Sequence, residues 1–205
     1  MPKRKSPAAA QKPQAASVEV VVKDESDIIQ PPIDYVQLFK AVIEKHSNDK
    51  KWQDGDFVGI KILSNTKVGS VGQDFIESLC STLSIPIEFP INTKKQRATQ
   101  SPWDIKLFNI TFELKTATED TTGNFQFNHI RYHRTYDAVL CLGISPNELL
   151  FNIYSKADVV NGKAGNLVSM KKGANASYKL TKTKSSLFHI DSFGERLAQF
   201  VEKFK

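Results

Sequence analysis

The run Ser101-Pro102-Trp103-Asp104-Ile105-Lys106-Leu107-Phe108-Asn109-Ile110-Thr111-Phe112-Glu113-Leu114-Lys115 decides how the chain is read. Apolar and polar residues alternate on both sides of Asn109, the pattern of two extended segments joined by a tight turn. Trp103, Ile105 and Leu107 are expected on one face, with Asp104 and Lys106 on the other. In the return segment Ile110, Phe112 and Leu114 point inward, and Thr111, Glu113 and Lys115 point the opposite way. Residues two apart on a strand share a face. Glu113 and Lys115 therefore project together, and Asp104 can join them from the neighbouring strand.

Two carboxylates converging without a compensating arginine repel each other when buried. A divalent cation relieves that repulsion. Mg²⁺, with Mn²⁺ as a substitute, takes a few hard oxygen ligands and keeps several waters. Asp104, Glu113 and the Leu114 carbonyl are the candidate ligands. An ion held there would polarise a phosphate oxygen and acidify a bound water. Lys115 is suited to orient that water or to stabilise developing negative charge.

Outward from this hairpin, the pattern predicts an α/β chain with a mixed central sheet flanked by helices. Residues 1–30 read as a disordered basic tail, with Val18–Val22 a possible short strand, and 31–205 as a single domain. Pro31-Pro32 opens a helical pattern through Ile33, Val36, Phe39, Val42 and Ile43. Phe57–Leu63 reads as a strand. Gly69 and Gly72 are expected to precede a helix whose core stripe is Phe75, Leu79 and Leu83, with Ile76 and Cys80 beside it. Ile85–Phe89 is a strand bounded by prolines, and Lys94–Gln100 a basic loop. Thr116–Arg134 is mixed and is expected to hold a short helix near its middle. Ala138–Ile144 is a continuous apolar strand covered on both faces, and Leu149–Tyr154 pairs back after a turn. Residues 160–186 read as a long basic loop. Leu187–Ile190 is a short strand, and Phe193, Leu197, Phe200, Val201 and Phe204 mark a closing helix.

The charge is segregated. The 205 residues carry 28 basic and 22 acidic side chains. Residues 1–17 hold four basic residues, and 160–186 hold six lysines, neither segment with an acid. The remainder carries 18 basic against 22 acidic residues. Gathering positive charge into two stretches points to a polyanionic partner, most often nucleic acid. Lys94, Lys95 and Arg97 form one candidate DNA-binding loop. Asn128, His129, Arg131 and Arg134 form a second cluster, and Lys163, Lys171 and Lys172 a third in a recognition loop at 160–186. No stretch approaches the ~18 apolar residues of a membrane span, so no membrane partner is expected. Two cysteines exclude a disulfide scaffold and suit a reducing, intracellular, cytoplasmic setting. The Lys3-Arg4-Lys5 cluster makes a nuclear location an expectation if the host is eukaryotic.

At Ser101-Pro102-Trp103-Asp104, eight residues, then Glu113-Leu114-Lys115, the chain resembles the PD-(D/E)XK nuclease superfamily, and within it the type II restriction endonucleases. Trp103 stands between the proline and the aspartate. Gly69-Ser70-Val71-Gly72-Gln73 is similar to the family's first core helix, with Gln73 where an acid often assists at the metal. Glu77, one turn later, is an alternative, and so is absence of a helix acid. Gln126–Arg131 followed by Tyr136–Leu140 is similar to the family's later helix and strand. The likeness covers roughly residues 65–155. It implies a restriction-endonuclease-like core, Mg²⁺-dependent endonucleolytic cleavage leaving 5′-phosphates, catalysis by Asp104, Glu113 and Lys115, and a homodimer. Glu88, on the preceding strand, is a reserve ligand. Two other readings stay open: a structure-directed repair or recombination nuclease, and a non-catalytic DNA-binding module on the same fold.

Overall fold

The computed structural model describes residues 36, 37, 40, 50–98 and 101–204. The tail at 1–30, the Val18–Val22 strand and most of the helix expected after Pro32 lie outside them; Val36, Gln37 and Lys40 are helical. Residues 48–205 form one unit. Its order is α1 (Asn65–Thr82), β1 (Ile87–Glu88), β2 (Ile105–Leu107), β3 (Ile110–Thr118), β4 (Asn124–Ile130), β5 (Ala138–Ile144), β6 (Leu149–Ser155), α2 (Lys156–Val160), β7 (Leu167–Lys171), β8 (Ser177–Thr183), β9 (Phe188–His189) and α3 (Phe193–Phe204).

Six strands make the central sheet, in the order β1-β2-β3-β5-β6-β9. The β3–β5 pair is parallel and the other pairs are antiparallel, so the sheet is mixed. A second sheet has the order β4-β8-β7. The fold is the expected α/β class, a mixed central sheet with helices against it.

Two cores explain the layering. On one face Ile76 and Cys80 of α1 and Phe193, Leu197 and Val201 of α3 pack on Ile105, Leu107, Phe112, Leu114, Leu140 and Phe151. On the other, Phe125, Phe127, Ile130 and Leu180 of the small sheet, with Val159 of α2, pack on Ala117, Val139 and Cys141. Every residue of β5 is buried, as its unbroken apolar run requires.

Several elements differ from the sequence reading, each for a local reason. Residues 58–62 form a 3₁₀ turn rather than a strand, because Phe57 and Ile60, three apart, both reach the cluster of Trp52, Val68 and Ile144. Helix α1 begins at Asn65, capped by the Ser64 hydroxyl accepting from Lys67 N–H, so Gly69 and Gly72 lie within it. Gly72 is there for proximity: a Cβ on it would sit 1.9 Å from Thr116 Oγ1. Flanking prolines, which lack an N–H, shorten β1 to two residues. Trp103 leaves the face of Ile105 and Leu107 and packs in the opposite core, since β2 starts only at Ile105.

The helix expected inside 116–134 is absent among the described residues, and with it the family-like helix at Gln126–Arg131. β3 runs on to Thr118, and β4 buries Phe125 and Phe127 at strand spacing, with a bulge before Ile130. Residues 160–186 are not a loop. They end α2 and form the β7–β8 hairpin, which Leu180 anchors in the core shared with Phe125, Phe127 and Ile130.

Candidate active site

The site lies where β2 stops and β3 continues. β2 pairs with β3 only as far as Ile105 opposite Phe112, with Asp104 N–H donating to Phe112 O at 2.8 Å. The next inward N–H, that of Leu114, has no strand beside it. The Asp104 carboxylate accepts that hydrogen at 2.8 Å, so the side chain stands in for the missing strand. Leu114 itself sends its side chain into the helix-side core.

Glu113 and Lys115 leave the opposite face of β3. The Lys115 ammonium lies 2.8 Å from Glu113 Oε1, with both side chains largely buried. Glu113 also accepts from Arg131 N–H at 3.3 Å, and the Arg131 Nε is 4.0 Å away. The Tyr136 phenol rests against Glu113 as well; burial and then that carboxylate push its ionisation up. Burial pushes the Asp104 carboxyl above the usual aspartate range. The charges of Lys115 and Arg131 and the Leu114 N–H pull it down, Glu113 pushes it up, and the net direction is upward. All three charged groups therefore act on one another across one small space.

Asp104 and Lys115 each line a cleft. One, of about 860 Å³, is lined by Asp104, Gln73, Arg97, Arg131, Arg134 and Asn175, among others. The other, about 400 Å³, is lined by Lys115, Thr116, Gln126, Asn128 and His129 against Asn65, Val68 and Gly69 of α1. Gln73 thus faces the cleft with Asp104, whereas Glu77 is engaged 2.6 Å from Arg97, whose guanidinium stacks on Phe89. Glu88 is engaged 2.7 Å from Lys106. Lys94 and Lys95 sit in an exposed turn whose backbone is held by Asn92. Arg134 donates to Ser101 O at 2.9 Å, bracing the segment that carries Asp104. Lys163 lies in an exposed turn, and Lys171 and Lys172 flank the tip of the β7–β8 hairpin, whose Asn175 reaches the larger cleft.

Sequence reasoning quoted Ser101 and Tyr136 only within longer stretches and gave neither a role; Tyr136 meets Glu113 through tertiary packing, which leaves no local pattern. Two of the six lysines of 160–186 are spent elsewhere. Lys182 turns inward to Ala164 O at 2.8 Å, and Lys184 pairs with Glu148 at 2.7 Å.

Two carboxylates and a backbone carbonyl are hard donors of the kind Mg²⁺ takes, and one carboxylate is disfavoured as a free anion. By their chemistry these donors suit a divalent cation held by few protein ligands, but the carboxylates are not uncompensated as the sequence implied: Lys115 pairs with Glu113 and Arg131 stands beside it. Among the described residues no three His, Cys, Asp or Glu side chains form a metal-binding group. The thiols of Cys80 and Cys141 are buried, and burial pushes them up to about 11 and about 12, so neither is a nucleophile near neutral pH.

No family model and no curated protein matches the chain. Among solved structures, it is similar to a bacterial homing endonuclease, I-Ssp6803I, at 13% identity and a TM-score of 0.41, over 68% of this chain and 93% of that one. At that similarity any functional reading rests on the residues of the site itself.

Proposed function

We propose that the chain is a metal-dependent deoxyribonuclease that hydrolyses phosphodiester bonds within double-stranded DNA, as a site-specific enzyme of the type II restriction class. The observation that carries this reading is the meeting of Asp104, Glu113 and Lys115 along the unpaired edge of β3, with Asp104 facing a cleft that Arg97, Arg131 and Arg134 also line. Asp104, Glu113 and the Leu114 carbonyl would hold Mg²⁺, or Mn²⁺ in its place. Bound there, the ion would supply Lewis acidity at a phosphate oxygen and a more acidic water.

The chain's own groups do the rest. Arg131 and Arg134 grip the backbone phosphates and set the register of the duplex. Lys115, held beside Glu113, would orient the attacking water and stabilise charge on the phosphate. In-line displacement of the 3′ oxygen leaves a 5′-phosphate and a 3′-hydroxyl. Cutting both strands with one site per chain calls for two copies, hence a homodimer.

Plasmid incubated with the chain and Mg²⁺ is expected to give discrete fragments. Lys115→Ala and Asp104→Ala are each expected to lower the rate by at least ~10²-fold. Cleavage by either variant at the parent rate would overturn the assignment. Gln73, an amide in the cleft where an acid would help hold a cation, favours one rival: a DNA-binding module without catalysis. Calorimetry separates them, since that module binds DNA but takes up neither Mg²⁺ nor Mn²⁺.

A further inference from the structure

The second sheet has two unlike faces. Inward, Phe125, Phe127, Ile130 and Leu180 are buried against the central sheet. Outward, β4 presents Asn124, Gln126 and Asn128 at two-residue spacing, and β8 presents Lys179, Thr181 and Thr183 beside them. The register sets Gln126 opposite Thr181 and Asn124 opposite Thr183. No acid lies on β4, β7 or β8. The strands present a row of amides and hydroxyls with a lysine, and the carboxylate beside them, that of Asp120, is bound to Thr122, Gln126 and the Asn124 N–H.

We infer that this outward face of β4 and β8 is the surface that reads base edges in the major groove of duplex DNA, with Gln126, Asn128 and Thr181 as specificity-determining residues. The inference deepens the nuclease reading and takes the duplex as substrate from it. Three observations support it.

The first is spacing. Alternate residues of a strand are about 6.8 Å apart, close to two base-pair steps of about 3.4 Å. Asn124, Gln126 and Asn128 can then address alternate base pairs along a groove. Two paired strands fit the B-form major groove, and Asn and Gln side chains pair bidentately with adenine. A-form RNA offers no such groove to side chains.

The second is continuity. Gln126 and Asn128 line the same cleft as Lys115, so the amide row starts beside the candidate catalytic lysine. The register shifts between Phe127 and Ile130, where His129 adopts a φ of +60°, and Asn128 and His129 both line that cleft.

The third is preorganisation. Gln126 donates to Asp120 Oδ2 at 2.9 Å and lies 3.4 Å from Lys179 Nζ. Asp120 is itself held by Thr122 and the Asn124 N–H. The amide is thus oriented before any ligand arrives, and retains a free N–H and a lone pair. Among the described residues the Asn128 amide carries no hydrogen bond.

The test uses the full chain and a library of duplexes with a randomised region. Base preference is read twice: from sequenced cleavage ends with Mg²⁺, and from sequences retained by binding without divalent ions. Gln126→Ala, Asn128→Ala and Thr181→Ala are each expected to relax preference at one or two positions by roughly ten- to a hundred-fold, with an unchanged unfolding midpoint showing that the fold persists. If the parent does not cleave but binds with a preference that these variants relax, the nuclease reading fails and this inference stands. If the parent cleaves and all three variants keep its preference, the inference fails and the nuclease reading stands. A parent without base preference in either assay also overturns the inference.

Discussion

At the scale of single residues, Asp104 concentrates the tension in the site. Its carboxylate fills a strand's place by accepting the Leu114 N–H, yet burial and Glu113 raise its pKa. A carboxyl whose folded pKa is raised gives stability in full below the ordinary aspartate range and loses it as pH rises through the folded value. Asp104→Asn keeps an oxygen to accept the Leu114 N–H and removes the disfavoured anion. Without divalent ions the variant is expected to melt above the parent at neutral pH, and the gap should close on acidification. Mg²⁺ should raise the parent's melting temperature and leave the variant's nearly unmoved. Thermal unfolding at several pH values, with and without Mg²⁺, checks both; equal Mg²⁺ shifts would remove Asp104 from the ligand set. The Glu113–Lys115 juxtaposition was legible in the sequence, because two-residue spacing on a strand fixes a shared face. The roles of Arg131 and Tyr136 at Glu113 were not, because they come from a different segment brought in by the sheet.

At the scale of elements, the closest approach is that of α1 to β3. Gly72→Ala gains about 1 kcal/mol of helix propensity. It also drives a methyl into Thr116, 1.9 Å from its Oγ1. Overpacking of this kind costs typically 1–3 kcal/mol, so the variant is expected to be less stable than the parent by denaturant titration. Because Thr116 follows Lys115, metal-dependent cleavage should fall with it. The same glycines hid the start of α1, since two glycines read as punctuation rather than as room for a neighbouring strand. β5 was legible because both its faces are covered and no polar residue interrupts it. β4 was not, because the bulge breaks the alternation just after Phe127. The β7–β8 hairpin was masked by its lysines, most of whose side chains leave the strand toward solvent, Lys182 excepted, while Leu180 anchors it.

For the whole molecule, Lys171 and Lys172 flank the tip of a hairpin whose Asn175 reaches the cleft that Asp104 lines. Lys171 and Lys172 are exposed there. If each meets one phosphate, the double variant Lys171→Ala/Lys172→Ala is expected to weaken binding to all duplexes alike. It should also reduce the slope of log affinity against log salt by about 1.8, at ~0.9 per contact. Fluorescence anisotropy across a salt series measures this; an unchanged slope would place the hairpin away from the backbone. Among the described residues no helix is long and apolar enough to cross a membrane.

The parallel pairing of β3 with β5 governs when the site can exist. Parallel neighbours cannot zip from a turn, and here β4 intervenes before β5 is reached. A nascent polypeptide that has left the ribosome only as far as Arg134 already contains Asp104, Glu113 and Lys115. It holds them on a short ribbon of β2 and β3, which water alone stabilises poorly. Any hydrolytic competence is therefore withheld during synthesis until β5 and the segment that follows it have emerged and docked.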